Sequence, residues 1–178
     1  MKINSSDIPN VIRKHKSHGI FIDSNLLLLF TIGSYNLELI EKFKRTSKFT
    51  RGDFQDICWI VNYFDKIITT PHILTEVSNL SNQLQDKCKD IYFNVFFEKL
   101  NILEEKNIPL RKAMENTKIR KYGLSDAVIH TIANDKYLII TDDFRLSSIL
   151  LSKGVDVINF NHLSYLSFLN SLHKRNRN

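Results

Sequence analysis

The chain has 178 residues, of which 43% are hydrophobic and 25% are charged, and its formal net charge is +6. These values are typical of one ordinary globular domain with a substantial core, and we expect a single domain over residues 1–178. The longest apolar run, Leu26 to Phe30, is far shorter than a membrane span. The positive charge favours a polyanionic partner but does not prove one.

The pattern of the two cysteines indicates the redox state of the compartment in which the protein is found. Cys58 and Cys88 lie 30 residues apart, and neither belongs to a Cys-x-x-Cys motif or to a cluster of cysteine and histidine. Disulfide frameworks and structural zinc sites depend on such pairings. We therefore expect reduced thiols in the core of a cytoplasmic protein.

The first half of the chain alternates short apolar strands with helices. Strands are predicted at Gly19–Ile22 and Ile67–Thr69. Thr70 and Pro71 mark a helix start, because threonine is a good N-cap and proline suits the first helical position. Elsewhere, apolar residues recur at spacings of three and four, as on one face of a helix. Helices are predicted at about Asn25–Ile32, Asn36–Lys44 and Asp53–Phe64, from Pro71 onward, and at Asp86–Glu98.

The second half of the chain continues the alternation. Further strands are predicted at Leu100–Leu103, Tyr137–Ile140 and Val155–Ile158, and helices from Ser125 onward and at Phe144–Ser152. Strands that alternate with helices are typical of a parallel sheet covered on both faces. The predicted class is therefore α/β, with a small parallel sheet of about four or five strands.

Four acidic residues lie where a predicted strand ends or a helix begins: Asp23, Glu76, Asp126 and Asp143. In an open parallel sheet the carboxyl ends of the strands form the edge at which ligands bind. Carboxylates gathered there repel one another unless a cation neutralises them. Mg²⁺ and Mn²⁺ are hard ions that prefer oxygen ligands. The pattern therefore predicts a divalent metal site.

Each acid also has a simpler interpretation. Aspartate in the first turn of a helix commonly satisfies free N–H groups, which by itself explains Asp126 or Asp143, and Asp142 more readily still. Glu76 alone is explained as an exposed helix residue. Asp23 is harder to explain in this way, because aspartate is depleted in strands and this one follows Ile-Phe-Ile.

Taken in order, these segments resemble a PIN-domain nuclease of the VapC-like ribonuclease type, over a core at about 19–163 followed by a short basic tail. The matching pieces are Asp23-Ser24-Asn25, the helix from Pro71 to Val77, the turn Leu124-Ser125-Asp126-Ala127, and Thr141-Asp142-Asp143 after a β-branched strand. Bacterial members of the family include the toxins of toxin–antitoxin pairs. Compared with those toxins, this chain has extra helical sequence between Tyr35 and Lys66.

The resemblance implies a PIN-like fold and cleavage of RNA that depends on Mg²⁺ or Mn²⁺. The family motifs assign metal binding and catalysis to Asp23, Glu76, Asp126 and Asp143. The family's Thr-x-Asp pattern favours Asp143 over Asp142, which is kept as an outer or substitute ligand. Ser24, Asn25 and Thr141 are then expected to form hydrogen bonds around the ligands.

The substrate and the partners are also expectations. Arg120, Lys121 and Arg145 flank the acidic motifs and are candidate contacts for RNA phosphates, although each is also explained by ordinary surface solvation. The expected protein is an endoribonuclease that acts as a toxin or a defence effector. An antitoxin or other regulatory protein is its implied partner, and a homodimer is considered. The alternative is a catalytically silent PIN-like module that binds RNA or protein.

Overall fold

The computed structural model describes residues 8–114, 124–133 and 137–163. In chain order its elements are α1 (Ile8–His15), β1 (Ile20–Ile22), α2 (Ser24–Tyr35), α3 (Leu39–Lys42), α4 (Arg51–Tyr63), β2 (Ile67–Thr69), α5 (Pro71–Ser81), α6 (Asp86–Leu100), β3 (Leu103–Glu105), α7 (Leu110–Met114), α8 (Leu124–Ile132), β4 (Leu138–Thr141), α9 (Phe144–Ser152), β5 (Val157–Asn159) and a 3₁₀ turn (Phe160–His162).

The five strands form one sheet in the order β3-β2-β1-β4-β5, and every neighbouring pair is parallel. The central strand β1 places Phe21 beside Ile68 of β2 and Ile139 of β4. The predicted α/β class, with a small parallel sheet and helices around it, is confirmed.

The inner strands are short and apolar because both of their faces are covered. Every residue of β1, β2 and β4 is buried, which is typical of strands in an all-parallel sheet. The edge strand β3 differs, since Leu103-Glu104-Glu105 is half-buried to exposed, and Glu104 lies 3.6 Å from the ammonium of Lys66. Charged residues on an edge strand discourage pairing with a second sheet.

Helix α2 is the central helix of the domain. Its residues from Leu26 to Gly33 are all buried, and it packs against α3, α4, α5 and α6. A helix that is apolar on all sides is stable only when other elements surround it. Gly33 lets α4 approach closely, because a Cβ at this position would collide with the ring of Phe54. In the described part of the chain, no helix has the length and apolar character that crossing a membrane requires.

Several predicted boundaries differ from the structure. The third strand is present, but its predicted bounds, Leu100–Leu103, are wrong, because α6 continues to Leu100 and the strand begins only at Leu103. Helix α6 is fixed from within by Tyr92, whose hydroxyl lies 2.6 Å from that of Ser81 and 3.0 Å from that of Thr31. Only Leu39–Lys42 of the helix predicted at Asn36–Lys44 is helical, and α1 and α7 were not predicted.

Candidate functional site

The strand order defines one place where the sheet can bind a ligand. From β1 the chain proceeds to β2 and β3 on one side, and it later returns to place β4 and β5 on the other. In open α/β sheets, ligands bind outside the carboxyl ends of the strands where the order reverses, which here is between β1 and β4. The register pairs Ile22 with Ile140, so the residues that follow these strands face each other across this point.

Asp23 occupies the end of β1. Its backbone N–H donates to the carbonyl of Ile140 at 3.2 Å and extends the pairing of β1 with β4 by one residue. It is also the N-cap of α2, since its Oδ1 accepts a hydrogen bond from the backbone N–H of Leu26 at 3.0 Å. Aspartate is among the preferred N-cap residues. The residue is only 6% exposed, so the carboxylate that caps α2 is buried.

Two groups at the end of β4 donate to the other oxygen of Asp23. The buried hydroxyl of Thr141 donates to Asp23 Oδ2, and so does the backbone N–H of Asp142 at 3.1 Å. The Thr141 hydroxyl also accepts from the backbone N–H of Asp143 at 3.0 Å. Three donors therefore fix the Asp23 carboxylate, one from α2 and two from the β4 end.

The environment of Asp23 disfavours its charge in spite of these donors. Burial, and then the negative charge of Asp142, raise its pKa from 3.8 to about 7, while the hydrogen bonds from Thr141 and the two backbone N–H groups oppose the rise. A carboxyl with a raised pKa beside a second carboxylate is typical of sites that bind a proton or a cation.

Asp142 is the second carboxylate of the site, and Asp23 and Asp142 are called the aspartate pair below. Its side chain is 4% exposed. Its Oδ1 accepts from the side-chain amide of Asn25 at 3.0 Å, and its Oδ2 pairs with the ammonium of Lys48. Its backbone carbonyl accepts from the side chain of Asn161 at 3.0 Å.

Asp143, which the family pattern favours as a ligand, is the N-cap of α9. Its Oδ1 accepts from the backbone N–H groups of Arg145 at 2.7 Å and Leu146 at 2.9 Å, and the residue is exposed. Of the two neighbouring aspartates, Asp142 is the one that the structure joins to the Asp23 segment, through Asn25. The assignment of Asp143 as a ligand stays a prediction.

The structure says less about the surroundings of the two remaining predicted acids, Glu76 and Asp126. Glu76 is half-buried in the second turn of α5. The backbone of Asp126 lies in the first turn of α8, and its side chain is outside the described residues. Helices α5 and α8 contact each other, so the segments that carry Glu76 and Asp126 are neighbours in the fold.

The structure places the predicted polar and basic residues in different surroundings. Asn25 and Thr141 form the hydrogen bonds just described, and Ser24 is the buried first residue of α2. Arg145 is exposed in the first turn of α9. Arg120 and Lys121 lie outside the described residues.

The chemistry of the site fits a hard cation. The aspartate pair supplies carboxylate oxygens, which suit Mg²⁺ or Mn²⁺. Among the side chains that the structure describes, a set that leaves out Asp126, no three of His, Cys, Asp or Glu are grouped so that they could hold a metal ion.

Two residues of the site were not predicted from the sequence. Lys48 belongs to the basic segment Lys42–Arg51, and the composition of this segment does not indicate which of its basic side chains reaches the sheet. Asn161 follows β5 and donates through its backbone N–H to Asn159 Oδ1 at 3.0 Å. The sequence did contain one indication of Asn161, namely its position. It follows β5, the strand next to β4, and so lies at the same edge of the sheet.

No family model, curated protein or solved structure matches this chain. The class of the protein therefore follows from the fold and the site alone. It is an α/β protein with a five-stranded parallel sheet and a buried aspartate pair at the carboxyl ends of its two central strands.

Proposed function

We propose that the protein is a PIN-like endoribonuclease that hydrolyses phosphodiester bonds of RNA with Mg²⁺ or Mn²⁺. One observation carries the proposal: the aspartate pair is buried at the point where the strand order of a parallel sheet reverses. Removing two neighbouring carboxylates from water is unfavourable unless a proton or a cation offsets their charge.

In this proposal the aspartate pair holds the ion, and Glu76, Asp126 and Asp143 remain candidate ligands from the sequence. When bound, the ion supplies Lewis acidity toward a phosphate oxygen and toward the attacking water. The Thr141 hydroxyl orients Asp23, and the Asn25 amide orients Asp142. Such hydrogen bonds from outside the ligand set typically fix the orientation of metal ligands.

The charge of the protein supports a nucleic-acid substrate. The net charge of +6 attracts a polyanion despite the acids of the site. Arg145 lies in the first turn of α9, which follows Asp142 and Asp143, and Arg120 and Lys121 precede Asp126 in sequence. RNA in the cytoplasm is the proposed substrate, and an antitoxin-like regulatory protein is the proposed partner.

A second candidate function is a silent module that binds RNA or protein without cleavage. The observation that favours it is the ion pair between Lys48 and Asp142, which neutralises one carboxylate from within the chain. A domain neutralised in this way does not require a metal ion to stabilise its fold.

Cleavage of a labelled RNA with Mn²⁺, with and without a chelator, separates the two functions. We expect products that a chelator abolishes. Asp23→Asn is expected to lower the rate more than about 100-fold, beyond the effect of losing an outer-shell partner. Asp86→Asn is the matched control, because Asp86 is exposed on α6 and pairs only with the nearby Lys89 among the contacts described. RNA binding without products, unchanged by metal, would instead support the silent module.

A further inference from the structure

The connection between α3 and α4 brings a positive charge to the aspartate pair. The Lys48 ammonium pairs with Asp142 Oδ2, so a residue 94 positions away in sequence contacts the end of β4. The two partners differ in their access to water. The side chain of Lys48 is 53% exposed, whereas that of Asp142 is 4% exposed.

The backbone around Lys48 is held in place on both sides. On one side, the buried Thr46 hydroxyl donates to the carbonyl of Ile40 at 2.8 Å. On the other, the buried ring of Phe49 packs edge-on against Phe160, with 6.3 Å between the ring centres. Thr50 then begins α4 with a capping box. The Lys48 side chain can therefore leave Asp142 while its backbone stays where it is.

The charges of the site explain why a lysine side chain contacts Asp142. A buried carboxylate without a partner is strongly unfavourable, and Asp142 also lies beside Asp23. Lys48 brings one positive charge to one of the two carboxylates. A divalent ion would bring two positive charges to the same pair. The flexible, half-exposed stem of Lys48 lets the ammonium return to water at low cost when a stronger cation arrives.

We propose, on the basis of the proposed metal-dependent function, that Lys48 is an internal counter-ion of the site. It neutralises Asp142 in the metal-free protein and competes with Mg²⁺ or Mn²⁺ for that carboxylate. It thereby raises the concentration of divalent ion that the protein needs, and it moves away from Asp142 when the ion binds.

Calorimetric titration of the full chain with Mn²⁺ at pH 8 tests the proposal without any measurement of activity. Lys48→Met removes the competing charge, and we expect it to bind Mn²⁺ about tenfold more tightly than the parent, which corresponds to about 1.4 kcal/mol. Lys42→Met is the matched control. It removes the same charge from the same segment, but its partner is the exposed Glu38, 3.2 Å away, so its affinity should equal that of the parent.

A double-mutant cycle shows whether the effect acts through Asp142. In an Asp142→Asn background, Lys48→Met is expected to give no gain in affinity. Lys48→Arg, which keeps the charge, should resemble the parent. Lys48→Gln keeps donors for Asp142 but removes the charge, so it should tighten binding and serves if the methionine variant does not fold.

The outcomes separate this inference from the proposed function. Equal or weaker Mn²⁺ binding by Lys48→Met and Lys48→Gln, with a normal parent, would overturn the counter-ion alone. Tighter binding by these variants in a protein that never cleaves RNA would support the counter-ion and overturn the nuclease. An absence of Mn²⁺ binding in the parent and in every variant would overturn both.

Discussion

Thr141 at the end of β4 donates its hydroxyl hydrogen to Asp23 at the end of β1, and this hydroxyl in turn accepts from the backbone N–H of Asp143. One buried side chain thus joins the two central strands at the edge where the candidate site lies. The residue determines both how Asp23 is oriented and how the chain turns into α9.

We expect Thr141→Val to destabilise the fold by about 1–3 kcal/mol, because the methyl group fills the same space but leaves Asp23 Oδ2 and the Asp143 N–H with fewer partners. Urea unfolding measures the change. Thr141→Ser should retain most of the stability. Thr131→Val is the matched control, since the buried Thr131 hydroxyl donates only to the Ala127 carbonyl within α8, at 3.0 Å, among the hydrogen bonds described. If the valine variants at both positions are equally stable, the link across the strands is not important for stability.

The raised pKa of Asp23 predicts how stability depends on pH. Between pH 3.8 and about 7, the Asp23 carboxyl keeps its proton in the folded protein, whereas in the unfolded chain it has lost it. The stability contribution is therefore fully present below about pH 3.8 and is lost as the pH rises to about 7, by on the order of a few kcal/mol.

Urea unfolding of the parent and of Asp23→Asn between pH 4 and pH 8 measures this contribution, because the variant lacks the titrating group. The difference in unfolding free energy between the two proteins should shift in favour of the variant as the pH rises. Parallel profiles would show that Asp23 titrates as an ordinary aspartate.

Asp142 and Asp143 should respond differently to substitution. Asp143→Ala is expected to cost about 1 kcal/mol of stability through loss of the cap of α9, and Asp143→Asn much less, because asparagine also caps well. Asp142→Asn is expected to weaken Mn²⁺ binding more than Asp143→Asn, because Asp142 is the buried neighbour of Asp23. The reverse order in calorimetry would restore Asp143 as the ligand that the Thr-x-Asp pattern favours.

A further prediction concerns α1, which is anchored to the turn before β5. Asp156 Oδ2 accepts from Lys14 at 2.6 Å and lies 2.8 Å from His15 Nε2. Burial raises the pKa of Asp156, but the hydrogen bonds and charges of Lys14 and His15 outweigh this and lower it. The stabilisation is thus present above the ordinary pKa of aspartate and is lost as the pH falls through the lowered value.

Asp156→Asn should cost about 1 kcal/mol at pH 7, a modest value because the carboxylate is 30% exposed, and less at pH 2.5. Thermal unfolding at the two pH values measures it. Asp86→Asn is the control, since the exposed pair of Asp86 with Lys89 is local to α6. An equal cost at both pH values would mean that packing, and not charge, is lost.

The sequence predicted the features that depend on neighbouring residues. Ile67–Thr69 and Phe144–Ser152 were placed at their observed bounds, because β-branched runs and a helical stripe of apolar residues are local signals. The position of Asp23 at the end of β1 was found in the same way. The α/β class followed from the alternation of these elements.

The features that were missed depend on contacts between distant segments. Nothing near Lys48 in sequence indicates that it meets Asp142, since that contact requires α3, α4 and the sheet to be assembled. The choice of Asp143 over Asp142 came from a family pattern, and only the turn after β4 shows which aspartate donates its backbone N–H to Asp23 and which one caps α9. Helix α1 has no apolar periodicity long enough to be recognised over eight residues.

The complete enclosure of α2 limits how this protein can be shortened. The segment between Tyr35 and Lys66 is not a removable insertion, because it contains α3 and α4, which pack against the apolar helix α2. A trimmed version would present part of the apolar surface of α2, which is buried from Leu26 to Gly33, to solvent or to other copies of itself. We expect such a fragment to aggregate during expression, so a minimal folded version of the protein has to retain this segment.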